Sequence, residues 1–138
     1  MAVMVTGGTG FVGINLVEAL LARGEHVVVA ALDDVPTPAQ CAFARLPGKL
    51  EAVRCDIRDA EAFTALLRKH QVDRLFPFAA ITSGPAREAE APELVIEVNL
   101  LGFIAQLRAA RDAGVKRVIA PSSSSVYGDS YFTHALLN

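Results

Sequence analysis

The chain has 138 residues, 52% of them hydrophobic and only 20% charged, with a formal net charge of −2. This suits one folded domain with a real core rather than a disordered tract, and so balanced a charge gives no reason to expect nucleic acid as a partner. No apolar run approaches the roughly 20 residues of a membrane span, and no basic residue precedes Arg23 to open a secretory leader.

The first predicted strand, about Val3–Val5, runs into a glycine-rich turn with Gly7, Gly8, Gly10 and Gly13. A helix then spans Phe11 to Arg23, with Val12, Leu16, Leu20 and Val17, Leu21 at helical spacing and Gly24 as its stop. His26–Leu32 is a near-continuous apolar run, the pattern of a parallel strand buried on both faces. Residues Val35–Pro47 hold three prolines and suggest an irregular connection with one helical turn. A third strand follows at about Leu50–Cys55. Asp59 is placed to cap the next helix, whose Phe63, Leu66 and Leu67 face inward.

Strand four is expected at Arg74–Phe78, and a loop with Gly84 and Pro85 leads to Pro92 at a first helical position. The helix from about Glu93 to Ala113 is expected to bury Ile96, Leu100, Phe103, Ile104 and Leu107, and Gly114 ends it. Strand five is Arg117–Ala120; Ser122–Gly128 forms a loop, and Asp129–Asn138 carries no pattern. Alternating strands and helices mean an α/β domain: a Rossmann-type doubly wound parallel sheet, five strands in the order 3-2-1-4-5 with helices on both faces. The ligand crevice then lies at the C-terminal ends of strands one and four.

Strand, glycine turn and helix in that order build a dinucleotide phosphate site. Gly7 allows the sharp turn, Gly10 the close approach of a pyrophosphate, and Gly13 the close packing of helix on strand. The helix N-terminus offers unpaired N–H groups and a partial positive charge. Cys41 and Cys55 lack metal-ligand spacing and are expected to be buried free thiols of a reducing, cytoplasmic chain. None of His26, His70 and His134 pairs with a cysteine or carboxylate at ligand spacing, so no metal site is expected.

Thr6–Gly13, T-G-G-T-G-F-V-G, resembles the extended short-chain dehydrogenase/reductase family, the NAD-dependent epimerase/dehydratase group with its many nucleotide-sugar enzymes. Further matches follow in register. Asp56-Ile57 resembles the acidic-aliphatic pair that holds the adenine, and Phe78-Ala79-Ala80 the strand-four end that passes beside the cofactor. Val98-Asn99-Leu100-Leu101-Gly102 resembles a V-N-x-x-G helix whose Asn supports the site. Ser122–Gly128 resembles the segment carrying the active-site Ser or Thr four residues before the Tyr of V-Y-G, which puts that role on Ser123 with Ser122 beside the cofactor. The resemblance implies an NAD site on Gly7, Gly10, Phe11, Val12, Gly13, Asp33, Asp56, Ile57, Phe78, Ala79, Ala80, Asn99 and Ser122. On their residues alone, Asp56 is equally a solvated loop carboxylate, Asn99 a partner for a neighbouring carbonyl, and the serine run a polar loop.

The chain departs from the family pattern at four points. The position that usually carries the ribose-binding acid is Ala31, while Asp33 follows Gly13 at roughly the 20-residue spacing of such an acid; a slightly longer strand two would let Asp33 serve. No Arg or Lys lies between Arg23 and Arg45, which favours NAD over NADP. Pro77 stands where a His is common. No Y-x-x-x-K is present: the tyrosines are Tyr127 and Tyr131, the lysines Lys49, Lys69 and Lys116. The substrate-binding C-terminal part of the family is also absent. These points give an incomplete NAD-binding Rossmann domain at 1–128, an irregular tail at 129–138, and a chain inactive by itself, whether a truncated or a natural product. The complete protein would be an epimerase, dehydratase or reductase acting on a nucleotide-sugar-like or carbonyl small molecule. The alternatives are a non-catalytic NAD sensor module and an inert fragment. The resemblance also implies a homodimer through the helices near 60–70 and 93–113, and strand five as a bare sheet edge implies self-association.

Overall fold

The computed structural model describes residues 1–81, 89–123 and 126. The chain alternates strand and helix: β1 (Ala2–Thr6), α1 (Phe11–Ala22), β2 (His26–Ala31), α2 (Thr37–Phe43), β3 (Lys49–Arg54), α3 (Ala60–Lys69) and β4 (Val72–Pro77). A long helical segment follows in three parts: α4 (Pro92–Ile96), a π-helical turn (Glu97–Gly102) and α5 (Phe103–Ala113), before β5 (Arg117–Val118). The five strands form one parallel sheet in the order β3-β2-β1-β4-β5, the Rossmann-like order expected from the sequence.

Side chains alternate across a strand, and the sheet sorts them into two cores. Val3, Val5, Val27 and Val29 pack with Val17, Leu20 and Leu21 of α1 and Phe43 of α2. Ala2, Met4, Val28, Ala30 and Leu75 face the other way, onto Phe63 and Leu67 of α3 and Ala109 and Ala110 of α5. The central strands β1 and β2 therefore need apolar residues on both faces, which explains their unbroken Val/Ala runs. Edge strand β3 is exposed or half-buried throughout and tolerates Lys49, Glu51 and Arg54. Asp59 caps α3, its Oδ1 accepting from the Ala62 N–H at 2.9 Å. Gly114, in the left-handed region at φ 74°, stops α5.

Strand and helix ends differ from the sequence expectation by a few residues at most, but three packing expectations fail. The helix expected over Glu93–Ala113 is broken by the π turn, and its large apolar residues are not its buried face. Ile96, Leu100, Ile104 and Leu107 are exposed, Leu100 by 54%, and Phe103 is half-buried. The inward stripe is Gly102, Gln106, Ala109 and Ala110. Both stripes have helical spacing. The small residues let α5 lie close against β4 and α3, which the bulky ones would not allow. In α1, Val12 is exposed in the first turn, off the buried stripe of Val17, Leu20 and Leu21. Cys41 is exposed rather than buried, on the outer side of α2, while Cys55 is buried; both are free thiols. The tail at 129–138 and the Gly84-Pro85 loop lie outside the described residues.

Candidate functional site

The site begins at the end of β1. Gly7 has φ 63°, a left-handed conformation that side chains rarely adopt, and a Cβ there would stand 2.8 Å from the Ala79 backbone. A glycine at this position therefore lets the exits of β1 and β4 touch. At Gly13 a Cβ would overlap the Gly7 carbonyl oxygen, so α1 packs onto the turn only through a bare Cα. Gly10 is different. It is extended, at φ −76° and ψ 169°, and a Cβ there would meet nothing closer than the Gly7 oxygen at 3.3 Å. The fold itself does not demand a glycine at position 10; the space beside it is left open.

Gly10 is also the N-cap of α1, with no side-chain cap hydrogen bond and no acidic residue in the first turn. The N–H groups that open a helix have no partner within it. At this helix they are left beside the open space, together with the positive end of the helix dipole. Phe11 and Val12 are exposed in that turn and pack into neither core.

Three other strand exits complete a cleft of about 500 Å3. From β2 come Ala31, Leu32 and Asp33; from β3, Cys55, Asp56, Ile57 and Arg58; from β4, Phe78, Ala79, Ala80 and Ile81. Leu94 and Val98 close one side. Gly7, Gly10, Asp33, Asp56, Ile57, Phe78, Ala79 and Ala80 thus share one cavity, as expected at the point where the strand order reverses. Strand β2 ends at Ala31 and is not extended to Asp33, but the turn after it still brings Asp33 to the cleft.

Asn99 does not line the cleft. It sits in the π turn and grips the backbone of Ile81, which does: its Oδ1 accepts from the Ile81 N–H at 2.8 Å and its Nδ2 donates to the Ile81 oxygen at 2.9 Å. Ser122 and Ser123 are exposed residues beyond β5 and are not part of the cavity lining. Tyr127 and Gly128 of the same motif lie outside the described residues.

Asp56 is tied to Arg58. Its Oδ1 accepts the Arg58 backbone N–H at 2.9 Å and its Oδ2 accepts Nη2 at 2.6 Å. Arg58 reaches on to Glu97 at 3.1 Å, joining the β3 exit to the π turn. These hydrogen bonds hold the Asp56 carboxyl below the ordinary carboxylate range and keep it charged. Burial, with the charges of Asp59 and Asp56, pushes the Cys55 thiol up, so it stays protonated and is no nucleophile.

Four contributors escape a reading of the sequence. Thr6 and Gln106 are fully buried polar residues bonded to each other behind the glycine turn. Arg58 lines the cleft. Arg54, far from Asp33 along the chain, pairs across the sheet with Ala31 and donates to the Leu32 oxygen at 2.5 Å, so a cation does neighbour the β2 exit. Pairing of β2 with β3 was the only available signal for Arg54, and the T-G-G tripeptide for Thr6. At the other end of the sheet His26 and His70 both meet Glu51, although they are remote from it in sequence. Among the described residues no cluster of His, Cys, Asp and Glu has the arrangement of a metal site, and no helix is long and apolar enough to cross a membrane.

Comparison with known proteins bears on the same cavity. The NAD dependent epimerase/dehydratase family model matches residues 3–134. A UDP-glucose 4-epimerase of Mycolicibacterium smegmatis is 39% identical over 131 residues, covering 93% of this chain and 41% of that protein. One of Klebsiella pneumoniae is 34% identical over 133 residues, covering 94% of both. The crystal structure of UDP-glucose-4-epimerase from Stenotrophomonas maltophila, with bound NAD and formylated UDP-arabinopyranose, superimposes with a TM-score of 0.81 at 32% identity. It is covered for 38% of its length, against 93% of this chain. The chain thus spans about two fifths of the Mycolicibacterium and Stenotrophomonas proteins.

Proposed function

The chain belongs to the NAD dependent epimerase/dehydratase family, and on that premise we propose that its cleft is the NAD-binding portion of an epimerase, dehydratase or reductase acting on a nucleotide-sugar-like or carbonyl substrate. The observation that carries this reading is Gly10: a glycine the chain's own packing does not require, at the uncapped N-terminus of α1, facing open space in a cleft of dinucleotide scale. A pyrophosphate fills that space and takes the free N–H groups of the first turn, Phe11 and Val12 included. Asp33 accepts from the adenosine ribose hydroxyls and repels a 2′-phosphate, which favours NAD over NADP. Asp56 and Ile57 flank the adenine, and Phe78, Ala79 and Ala80 flank the nicotinamide half.

NAD supplies a hydride acceptor when bound. The chain's own contribution is binding and orientation, with Ser123 placed by family resemblance to hydrogen-bond a reacting hydroxyl or carbonyl. A proton-moving pair is missing from these residues, since no tyrosine is followed by a lysine four residues on. A tyrosine of ordinary pKa, near ~10, is a poor base at neutral pH without a cation beside it. The 138-residue chain is therefore expected to bind NAD without turning over substrate, and that same absence keeps a non-catalytic NAD-binding module as the second reading. Titration calorimetry with NAD and NADP tests the proposal. Tighter binding of NAD is expected; no detectable heat from either dinucleotide at millimolar concentration would sink it.

A second copy of the chain is the proposed partner of the exposed apolar stripe Ile96, Leu100, Ile104 and Leu107. Light scattering should show a dimer that Ile104→Glu returns to monomer, and a monomeric wild type would reject it.

A further inference from the structure

Gln106 is the odd residue of α5. It is 0% exposed, between Gly102 on one side and Ala109 and Ala110 on the other, where an apolar side chain of similar size would serve packing alone. A buried amide is costly unless both its ends are paired. Here they are, and the pairing has a fixed direction. The Ala79 backbone N–H donates to the Thr6 hydroxyl oxygen at 3.1 Å, so that oxygen acts as acceptor and its proton is free to be given away. The proton goes to Gln106 Oε1 at 2.7 Å. Gln106 Nε2 donates to the Gly102 carbonyl at 3.3 Å. One end of this relay is an obligate donor and the other an obligate acceptor, so the orientation of the amide follows from the chemistry rather than from choice.

The relay ends where the cleft is tightest. Thr6 immediately precedes Gly7, and Gly7 and Ala79 both line the cavity, in such close approach that a Cβ on Gly7 would stand 2.8 Å from Ala79. We infer that Gln106 is a positioning residue for the dinucleotide site: by accepting the Thr6 hydroxyl proton it aims the hydroxyl oxygen at the Ala79 N–H and holds the β4 exit against the glycine turn. Asn99, on the π turn of the same helical segment, grips Ile81 two residues further on. The helix thus fixes the β4 exit at two points, through two amide side chains, one buried and one at the surface. This role rests on the NAD-binding reading above.

The test is a set of variants of the 138-residue chain, measured for NAD affinity by calorimetry and for stability by urea unfolding. Gln106→Leu and the unbranched Gln106→Met, which need not both fold, remove the acceptor at nearly constant volume. Each folded variant is expected to weaken NAD binding about tenfold, the scale of one buried hydrogen bond. Thr6→Val should do the same, and the double variant should be no worse than Thr6→Val alone, since both act through one relay. Thr6→Ser keeps the hydroxyl and should stay within about twofold of wild type. Amide hydrogen exchange at Ala79, faster in the Gln106 variants than in wild type, reads the same link without ligand. Wild-type affinity and wild-type Ala79 exchange in a folded Gln106 variant overturn the inference alone. A wild-type chain that binds no NAD overturns the proposed function and this inference with it.

Discussion

The two ends of this parallel sheet treat their polar groups in opposite ways. At the N-terminal ends of the strands the chain pairs most of its charges internally, with His70 Nε2 and Asp73 Oδ1 left without a hydrogen bond among the described residues. Arg74 holds Glu25 through two hydrogen bonds of 2.6 and 3.1 Å. Glu51 receives Lys49 at 2.6 Å and His26 at 2.9 Å on one oxygen, and His70 at 3.2 Å on the other. At the C-terminal ends the chain leaves groups over. Helix α1 starts without a side-chain cap, Gly10 faces space that no described residue fills, and the strand exits diverge around a cleft. Only one end of a parallel sheet collects the strand-to-helix turns with their helix N-termini. What sets the C-terminal end apart is an uncapped helix start beside space that no described residue fills, which is what a ligand would complete.

Two glycine substitutions break this comparison most forcefully. Gly13→Val drives a side chain into the Gly7 carbonyl oxygen, a backbone atom rather than the end of a flexible side chain. It should cost about 3 kcal/mol or more, beyond the usual range for overpacking, and remove NAD binding together with the fold. Gly10→Val should remove binding just as completely, by about 100-fold or more, yet leave the urea midpoint close to wild type. Its backbone is extended, and among the described residues a Cβ would meet only the Gly7 oxygen at 3.3 Å, a tight contact that a shift of a few tenths of an ångström relieves. Retained NAD affinity in a folded Gly10→Val protein would show that the phosphates lie elsewhere.

The contrast between those glycines was legible in the sequence, because glycine spacing after a strand has few physical uses. The strand order was legible as well, since alternating strands and helices with right-handed crossovers leave few topologies. What failed was the inward face of the long helical segment. Leu100 and Ile104 outbid Gly102 and Ala109 on hydrophobicity, yet the sheet takes the small residues, because closeness and not side-chain size decides that contact. Gln106 was invisible for the same reason: a glutamine at helical spacing looks like a solvent-facing residue until the helix is seen to sit on Thr6. Arg54 was missed because its neighbour Leu32 comes from another strand, and distance along the chain says nothing of a cross-strand pair.

Smaller substitutions sharpen the division between the ends. Asn99→Leu removes both hydrogen bonds to Ile81 and should weaken NAD binding roughly fivefold, the effect of about 1 kcal/mol. Its effect on stability should be slight, because the contact lies at the surface. Glu25→Gln should do the reverse. The pair it makes with Arg74 is part-exposed, so stability should fall by no more than about 1 kcal/mol and NAD affinity should not change. A Glu25→Gln protein with impaired NAD binding would mean that the two ends communicate through the strands.

The weakest and most selective probe is acid. At the structural end, the Lys49 hydrogen bond, followed by His26, holds the Glu51 carboxyl below its ordinary value of 4.5, and Arg74 lowers Glu25 in the same direction. A carboxyl depressed in the folded state binds fewer protons folded than unfolded. Its stabilisation is therefore complete above the unfolded value and is lost as pH falls through the lower folded value. Stability should be flat with respect to these two groups near neutrality and decline below about pH 4.5. Glu51→Gln and Glu25→Gln should each lower stability near neutrality and flatten that decline, with NAD affinity at pH 7 untouched. Asp56 is depressed in the same way by Arg58, so Asp56→Asn should also flatten the acid limb, but it alone of the three should weaken NAD binding. Urea unfolding at several pH values, set beside calorimetry at pH 7, separates the groups. If Asp56→Asn behaves like Glu51→Gln in both measurements, the β3 exit belongs with the structural end of the sheet and the adenine is held by Ile57 and its neighbours without the carboxylate.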